Sequence, residues 1–278
     1  MKVFADKVAV ITGAASGIGR AIADRCAKEG MKVVLADIEE TALAIAENEL
    51  KSKGATVLAV LTDVSKVKDI EMLAKKTLDA YGAVHLLFNN AGVIGGSTIW
   101  ESTLADWEWI IGVNLWGVIH GVRVFVPLML AQETEGHIVN TASVSGLVSG
   151  PGNGWGIYRV TKHGVVTLSE TLYYELAERG AKLKVSVLCP AAVNTQIMEA
   201  ERNRPVELHN TEEKMNPKVE QFWQTIRREV QNGLPPQQVA DVVFNAIQAE
   251  KFYIIIPLEE KQAIQKRMED ILQERNPT

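Results

Sequence analysis

Short apolar runs of strand length alternate with longer segments of helical periodicity along most of this sequence. The strand-like runs cover 7–12, 32–36, 56–61, 84–89, 137–143, 184–189 and 252–256. The helical segments cover 17–30, 40–53, 66–81, 104–132, 157–179, 237–249 and 259–274. Hydrophobic strands separated by helices favour a parallel sheet with helices on both faces and right-handed crossovers. We therefore predict a doubly wound, Rossmann-like α/β fold with about seven strands.

A chain of 278 residues with 47% apolar residues suits one domain spanning residues 1–278. The alternation breaks at 194–236, a polar stretch with four prolines and weak helical periodicity only at 219–230. A substrate lid and a plain surface excursion explain this stretch equally well. The charged segment 259–274 predicts a C-terminal tail helix.

Charge and composition exclude several classes of partner. A net charge of −5 and no block of Lys and Arg argue against a nucleic-acid surface. The N-terminal apolar run is too short for a signal peptide or a membrane span, so we expect no membrane partner. Cys26 and Cys189 have no metal-site or disulfide spacing, which favours the reducing cytoplasm. None of the five histidines is paired at ligand spacing, so no metal site is expected.

A glycine-rich turn, Thr12–Gly19, follows the first strand and leads into a helix. Glycine allows the backbone to turn sharply and to approach a pyrophosphate, while the helix N-terminus offers free N–H groups to the anion. The spacing G-x-x-x-G-x-G is weak evidence alone, but its place between strand and helix strengthens it. The residues expected to bind the cofactor phosphates are Gly13, Ser16, Gly17, Ile18 and Gly19.

The second strand ends in Asp37, 20 residues beyond Gly17. A carboxylate at that position hydrogen-bonds the adenosine ribose hydroxyls and repels a 2′-phosphate. The following residues, Ile38, Glu39 and Glu40, supply no positive charge. We therefore predict NAD rather than NADP as the cofactor, with Asp37 and Ile38 at the adenosine. The alternative is that Asp37 is only a solvated carboxylate at a strand end.

Three polar side chains near the middle of the chain suggest general acid–base chemistry. Tyr158 and Lys162 lie four residues apart and therefore share one face of the predicted helix 157–179. A nearby ammonium lowers the pKa of a phenol, which makes tyrosine a better base at neutral pH. Ser143 is placed at the end of a strand, where its hydroxyl faces the ligand crevice. A Tyr-x-x-x-Lys pair alone is usually no more than an exposed pair on a helix.

Several motifs in the right order resemble the short-chain dehydrogenase/reductase family over residues 5–195. The matching positions are the turn Thr12–Gly19, the pair Asp63-Val64, the run Asn89–Gly92, and the tetrad Asn114, Ser143, Tyr158 and Lys162. The resemblance implies that Ser143 positions the substrate oxygen and Tyr158 exchanges the proton. It further implies that Lys162 holds the nicotinamide ribose and that Asn114 holds a relay water.

The resemblance also implies further cofactor contacts, and one residue keeps a second interpretation. The contacts implied are Asp63, Val64, Asn90, Ala91 and Gly92 on the adenosine side, and Pro190, Val193 and Thr195 near the carboxamide. The alternative for Asn114 is a polar residue that bends a buried helix.

The sequence departs from the family pattern near the catalytic residues. Ser143 and Tyr158 are 15 positions apart, through the glycine-rich loop 150–156, and this extra length leaves Ser145 as an alternative source of the catalytic hydroxyl. Ala191 follows Pro190 where the family commonly has glycine, which restricts the backbone there.

A weaker similarity, at 106–117, 201–205 and 252–257, is to Cα-dehydrogenases that oxidise benzylic alcohols of lignin-derived aryl ethers. We therefore expect an NAD-dependent oxidoreductase that interconverts a bulky aromatic or alicyclic secondary alcohol and a ketone. Trp155 with Met198 or Phe222 would line the substrate pocket. The alternatives are a non-catalytic NAD-binding sensor or scaffold, and an epimerase or lyase that uses NAD transiently. By the same resemblance we expect a homo-oligomer, a tetramer rather than a dimer, formed through the helices at 113–132 and 157–179.

Overall fold

A computed structural model describes residues 1–150, 154–210 and 216–277. These residues form one seven-stranded sheet in the order β3-β2-β1-β4-β5-β6-β7, and every neighbouring pair of strands is parallel. The strands are β1 Val8–Thr12, β2 Lys32–Asp37, β3 Val57–Leu61, β4 Leu86–Asn89, β5 Gly136–Thr141, β6 Leu183–Pro190 and β7 Tyr253–Ile256. The predicted doubly wound fold is confirmed.

The helices connect successive strands and cover both faces of the sheet. They are α1 Gly17–Lys28, α2 Glu40–Ser52, α3 Val67–Tyr81, α4 Leu104–Ile111, α5 Gly117–Ala131, α6 Gly156–Glu178, α7 Pro217–Gln231, α8 Pro236–Gln248 and α9 Lys261–Leu272. The two largest apolar cores lie on opposite faces, and two smaller clusters accompany them. Ile22, Leu35 and Phe244 belong to one core, and Ile70 and Phe125 belong to the other.

The strand order reverses beside β1, which pairs with β2 on one side and with β4 on the other. In a sheet of this kind the connections leave in opposite directions at that point and open a crevice at the carboxyl ends of the strands. The register aligns Thr12 with Ala36 and Ile11 with Phe88. The glycine turn therefore lies directly between Asp37 and the residues that follow β4.

Local structure differs from the sequence prediction in three places. The predicted helix 104–132 contains a π-helical turn, Gly112–Trp116, between α4 and α5. Strand β5 ends at Thr141, so Ser143 lies two residues beyond the strand, just before a 3-10 turn. The polar stretch contains a 3-10 helix, Gln196–Asn203, in addition to α7. Residues 151–153 of the glycine-rich loop and 211–215 of the polar stretch lie outside the described residues.

The stretch Leu104–Ala131 has the length and apolar composition of a membrane-spanning helix, with a mean hydropathy of 1.5. Here it is a helix of the α/β sandwich, since α5 packs against α3 and β4. Core helices of soluble folds commonly share these properties with membrane spans.

Candidate active site

A cavity of about 420 Å³ runs along the carboxyl ends of the strands. It starts at the glycine turn and Asp37 and ends among aromatic side chains beside Tyr158. Its lining includes Gly13, Ser16, Gly17, Ile18, Asp37, Ile38, Asp63, Val64, Asn90, Ala91, Gly92, Ser143, Trp155, Tyr158, Lys162, Pro190, Val193 and Thr195. The structure thus brings most of the residues selected from the sequence to one site. Gly19, Asn114 and Met198 are not on the cavity wall.

The glycine turn has the geometry that a phosphate site needs. Gly13 and Gly17 have φ values of +64° and +55°, a region that favours glycine. A Cβ on Gly19 would lie 2.0 Å from the Gly13 carbonyl oxygen, so only glycine lets α1 begin this close to the turn. Gly19 therefore serves the close packing of turn and helix rather than the cavity wall.

Asp37 is a buried carboxylate at the end of the cavity opposite Tyr158. Its Oδ2 accepts a hydrogen bond from Ala15 N at 2.8 Å, and its Oδ1 accepts one from Glu39 N at 3.0 Å. Burial raises the pKa of this carboxyl, and the two backbone donors act against that rise. Each oxygen has a second lone pair for a ribose hydroxyl. The turn and this carboxylate therefore fit an adenine dinucleotide.

Ser143, Tyr158 and Lys162 come together at the catalytic end of the cavity. The Ser143 hydroxyl donates to Pro190 O at 3.2 Å and accepts from Ser145 N at 3.1 Å. Lys162 Nζ lies 5.4 Å from the centre of the Tyr158 ring and donates to Thr141 O at 2.9 Å. All three side chains are buried. The arrangement presents a hydroxyl and a phenol beside a buried amine.

Burial dominates the ionisation of this centre. It raises the pKa of Tyr158 to about 12, although a hydrogen bond with Ser143 acts in the opposite direction. It lowers the pKa of Lys162 to about 8. In the cofactor-free chain the pKa of Tyr158 therefore lies above its ordinary value, and a lowering of that pKa by protonated Lys162 stays a prediction.

The catalytic hydroxyl and the catalytic helix are tightly packed against each other. A Cβ on Gly146, in the turn after Ser143, would lie 2.6 Å from the Lys162 carbonyl oxygen. No larger residue fits there without moving the turn or α6. This contact sets the spacing between Ser143 and the face of α6 that carries Tyr158.

Asn114 lies in the π-helical turn, behind the cavity wall. Its Oδ1 accepts from Val93 N at 2.8 Å, and its Nδ2 donates to Val93 O at 2.9 Å and to Thr161 Oγ1 at 3.3 Å. π-helical turns are frequent at functional sites. The side chain connects the segment after β4 with α6, and a Cβ on Gly92 would meet both Asn114 Oδ1 and Lys162 Nζ.

Aromatic side chains form the wall opposite the cofactor residues. The Trp155 ring packs against Tyr158 at 5.0 Å between centroids, and Phe222 and Trp223 of α7 contact Trp155 at 5.8 and 5.5 Å. Trp155 Nε1 donates to Ser145 Oγ at 2.7 Å. Ser143 is the better candidate for the catalytic hydroxyl, because its side chain hydrogen-bonds the Tyr158 phenol whereas that of Ser145 accepts from Trp155.

Met198 is not part of this wall, contrary to the prediction. The 3-10 helix Gln196–Asn203 turns once in about three residues, and it presents Ile197 and Ala200 to the cavity. Met198 lies between them on another side of the helix. Phe222, the alternative named with it, does line the cavity.

Sequence analysis missed several polar contacts around the site. Arg202 and Asn203 bind Glu39 across 163 and 164 positions of sequence. Arg204, also in the polar stretch, forms a buried ion pair with Asp106 of α4 at 2.8 Å. No local spacing signals such long-range pairs. Only the cluster of arginines in 201–205, an otherwise acidic region, pointed toward them.

Comparison with known proteins decides the family. Residues 7–205 match the family model described as short chain dehydrogenase. The chain belongs to the short-chain dehydrogenase family. It is therefore an oxidoreductase, as the tetrad and the glycine turn predict.

Relatives match this short-chain dehydrogenase over its whole length. It is 34% identical to the CLA biosynthesis dehydrogenase/reductase of Lactiplantibacillus plantarum, over 100% of this chain and 97% of that protein. It is 33% identical to the C alpha-dehydrogenase of a Sphingobium species, over 98% and 87% of the two chains, which confirms the weaker resemblance predicted above. The crystal structure of a Burkholderia phymatum short chain dehydrogenase/reductase in complex with NAD has a TM-score of 0.97 and 49% identity, and the match covers 100% of this chain and 98% of that one.

Proposed function

We propose that this short-chain dehydrogenase uses NAD to interconvert a secondary alcohol and a ketone. The observation that carries the proposal is the convergence of Ser143, Tyr158 and Lys162 on one end of a cavity whose other end holds Asp37. A cavity that joins a proton-transfer centre to a ribose-binding carboxylate fits a nicotinamide dinucleotide with an alcohol at its reactive end.

Asp37 and its surroundings support NAD over NADP. The carboxylate is held in place by two backbone donors, so it remains where a 2′-phosphate would have to lie. Two like charges placed together cost several kcal/mol. Arg202, which lies near this carboxylate, is already bound to Glu39. The NAD named in the Burkholderia phymatum complex agrees with this choice.

The side chains divide the proton chemistry between them. The Ser143 hydroxyl holds the substrate oxygen, and the Tyr158 hydroxyl takes the alcohol proton or returns it to the ketone. Lys162 holds the nicotinamide ribose, and when protonated it favours the phenolate of Tyr158. Asn114, behind the wall, secures the segment after β4 and holds a relay water. When bound, the nicotinamide supplies or accepts the hydride.

The substrate end favours a bulky apolar alcohol. Trp155 packs on the catalytic phenol and Phe222 packs on Trp155, and such apolar surfaces bind aromatic or alicyclic rings by burial and ring packing. The C alpha-dehydrogenase of the Sphingobium species and the 1-deoxy-11-beta-hydroxypentalenate dehydrogenase of Streptomyces exfoliatus, 38% identical over 69% of this chain, carry names of the same reaction class.

A spectrophotometric screen tests the proposed reaction. Bulky secondary alcohols should reduce NAD, with a catalytic efficiency more than about tenfold above that with NADP because of the charge at Asp37. Tyr158→Phe should lower kcat by about a thousandfold, the loss expected for a general acid–base group. NADH binding, followed by fluorescence, should persist in that variant and serves as its folding control.

Three outcomes would contradict the proposal. NADH binding without turnover of any alcohol or ketone would favour a sensor or scaffold. Product formation without net change in cofactor absorbance would favour an epimerase or lyase. Turnover that is unaffected by loss of the Tyr158 phenol would remove the catalytic assignment.

The arrangement of the whole chain follows from the same function. We propose one domain over residues 1–278, with the stretch 194–236 as a substrate lid and 259–274 as a tail helix. In a homo-oligomer, preferably a tetramer, the outer faces of α5 and α6 would be covered, because only 39% of an 18-residue apolar window within Leu104–Ala131 is buried in one chain. The free, buried Cys26 and Cys189 fit a reducing cytoplasm.

A further inference from the structure

A 3-10 helix, Gln196–Asn203, crosses from the glycine turn to the adenosine rim of the cavity; we call it the strap. Just before it, Thr195 lies against the turn, since a Cβ on Gly17 would be 3.0 Å from Thr195 Cγ2. At the other end Arg202 reaches Glu39, which follows β2. The strap therefore touches both walls of the cavity.

The Glu39 carboxylate is the strap's anchor. Its Oε1 accepts from Arg202 Nε at 3.0 Å, Arg202 Nη2 at 2.6 Å and Asn203 Nδ2 at 2.8 Å. Burial acts to raise the pKa of this carboxyl, but these hydrogen bonds outweigh it and lower the pKa. The side chains of Glu39 and Arg202 are 26% and 32% exposed, so solvent screens the pair less than a fully exposed one. Charge-assisted bonds of this geometry are stronger than neutral ones.

Arg202 also holds the strap itself together. Its Nη1 donates to the carbonyl oxygens of Gln196 at 3.1 Å and Glu199 at 2.8 Å. One guanidinium thus joins the two ends of the strap and binds Glu39. Ile197 and Ala200, on the same strap, also line the cavity, and Ala200 packs in one cluster with Trp109 and Ile157. Loss of the anchor would therefore displace cavity-lining residues along the whole strap.

The anchor is directly connected to the ribose site. The backbone N–H of Glu39 donates to Asp37 Oδ1 at 3.0 Å. Glu39 precedes α2, yet its side chain makes no capping hydrogen bond to that helix. The side chain therefore acts on the strap rather than on its own helix.

We propose that Glu39 is a positioning residue that holds the strap across the bound dinucleotide and slows its release. Residues 37–39 and 202–203 line the same cavity, so a cofactor lying along it is enclosed until the contact between Glu39 and Arg202 opens. This inference rests on the proposed function, because it takes NAD as the occupant.

Two measurements test the role of Glu39. In the cofactor-free chain, hydrogen exchange of the backbone amides of 196–203 should accelerate about tenfold in Glu39→Ala, the effect of losing charge-assisted bonds. In stopped-flow fluorescence, NADH should dissociate about tenfold faster from Glu39→Ala and from Arg202→Met. The effects of the two changes should be clearly less than additive in the double variant, because both remove the contact between Glu39 and Arg202.

Glu40→Ala is the matched control, since it removes the neighbouring, exposed carboxylate and leaves Glu39 in place. Arg202→Lys should give an intermediate release rate, because an ammonium keeps the charge without the forked geometry. Equal release rates in wild type and Glu39→Ala would overturn the proposal, whatever the exchange data show. The same acceleration in Glu40→Ala, or additive effects in the double variant, would also overturn it. A wild-type chain that binds no NADH would instead refute the proposed function, and unchanged amide exchange would then refute the anchor separately.

Discussion

The amine of Lys162 is buried in an environment that disfavours its positive charge. Burial lowers its pKa to about 8, and the single described polar contact of Nζ is with the Thr141 carbonyl oxygen. A catalytic site keeps such a group because the reaction needs it, often at a cost in stability. The centre formed by Tyr158 and Lys162 is thus tuned by desolvation as well as by its own charges.

Replacing this amine should stabilise the cofactor-free chain at neutral pH. A pKa that falls from 10.5 to about 8 corresponds to roughly 3 kcal/mol, and the bond to Thr141 returns about 1 kcal/mol. Lys162→Met should therefore raise the free energy of unfolding by about 2 kcal/mol at neutral pH. Urea unfolding at several pH values measures this.

The pH dependence of that gain follows from the sign of the shift. Because the pKa of Lys162 is lower in the folded chain, the folded state binds fewer protons between about pH 8 and 10.5, and wild-type stability rises with pH in that window. The advantage of Lys162→Met should therefore disappear by about pH 10. Lys76→Met, which changes an exposed lysine, is the control. A Lys162→Met chain that is less stable than wild type at neutral pH would contradict the assignment of burial as the dominant cause.

Sequence reasoning worked best for residues whose chemistry depends on local spacing. Gly13 and Gly17 follow the first strand, Asp37 ends the second, and Tyr158 and Lys162 are one helical turn apart, so each could be placed before any contact was known. Met198 was misplaced because the period of its helix was unknown. The raised pKa of Tyr158 in the cofactor-free chain could not be predicted in this way, since burial depends on the whole fold.

At the level of elements, an ion pair between the polar stretch 194–236 and α4 holds that stretch in place beside the cavity. Arg204 is 3% exposed, pairs with Asp106 at 2.8 Å and lies 5.1 Å from the centre of the Trp109 ring. Asp106 also accepts a hydrogen bond from the backbone N–H of Thr103, as part of the capping box at the start of α4. One carboxylate therefore both begins a helix and anchors the stretch that follows β6.

Removing one partner of this buried ion pair should strongly destabilise the folded chain. Arg204→Met leaves Asp106 buried without its cation, so the free energy of unfolding should fall by about 3–5 kcal/mol. The double variant Arg204→Met with Asp106→Asn should lose clearly less free energy of unfolding than the sum of the losses in the two single variants, because no unpaired buried charge is left. Denaturant unfolding of the three variants measures both effects.

The chain offers a matched surface pair as the control. Arg227 and Glu199 also form an ion pair, but their side chains are 45% and 57% exposed. Arg227→Met should therefore cost less than about 1 kcal/mol. Equal losses for Arg204→Met and Arg227→Met would show that the buried pair contributes nothing beyond a surface pair.

Elements with regular periodicity could be predicted, and those without it could not. The helices of the β-α repeat begin and end within a few residues of their predicted bounds because their apolar faces repeat with the helical period. The strap is a 3-10 helix with one buried residue, Ala200, so it shows no such pattern. Strand β5 was predicted two residues too long because the apolar alternation continues past its last ladder bond.

For the whole molecule, a single chain leaves several large apolar side chains exposed on the helical layer formed by α5 and α6. Trp116 is 48% exposed beside α5, and Val160, Tyr173 and Tyr174 on α6 are 46%, 43% and 72% exposed. Large apolar side chains grouped in this way mark interaction surfaces. The alternation of strands and helices predicted the sheet, but no sequence pattern shows which helix faces meet a second copy.

If copies of the chain associate through this layer, a negative charge introduced there should weaken the association. Sedimentation of the 30.5 kDa chain should report a tetramer, and Trp116→Glu or Tyr174→Glu should weaken the association at least tenfold, because a buried unpaired carboxylate is strongly unfavourable. Ile45→Glu, at a 53% exposed apolar residue of α2 outside this layer, should leave the mass unchanged. A monomeric wild type, or dissociation by Ile45→Glu alone, would contradict this interface.

The absence of a side chain at position 146 has a consequence for how this enzyme can diversify. Since that turn rests on the backbone of α6 with no space for even a methyl group, the two halves of the reactive centre behave as one rigid block. New substrate preferences must then arise by exchanging the surrounding aromatic wall and the strap, while saturation mutagenesis at 146 should return glycine alone among active clones.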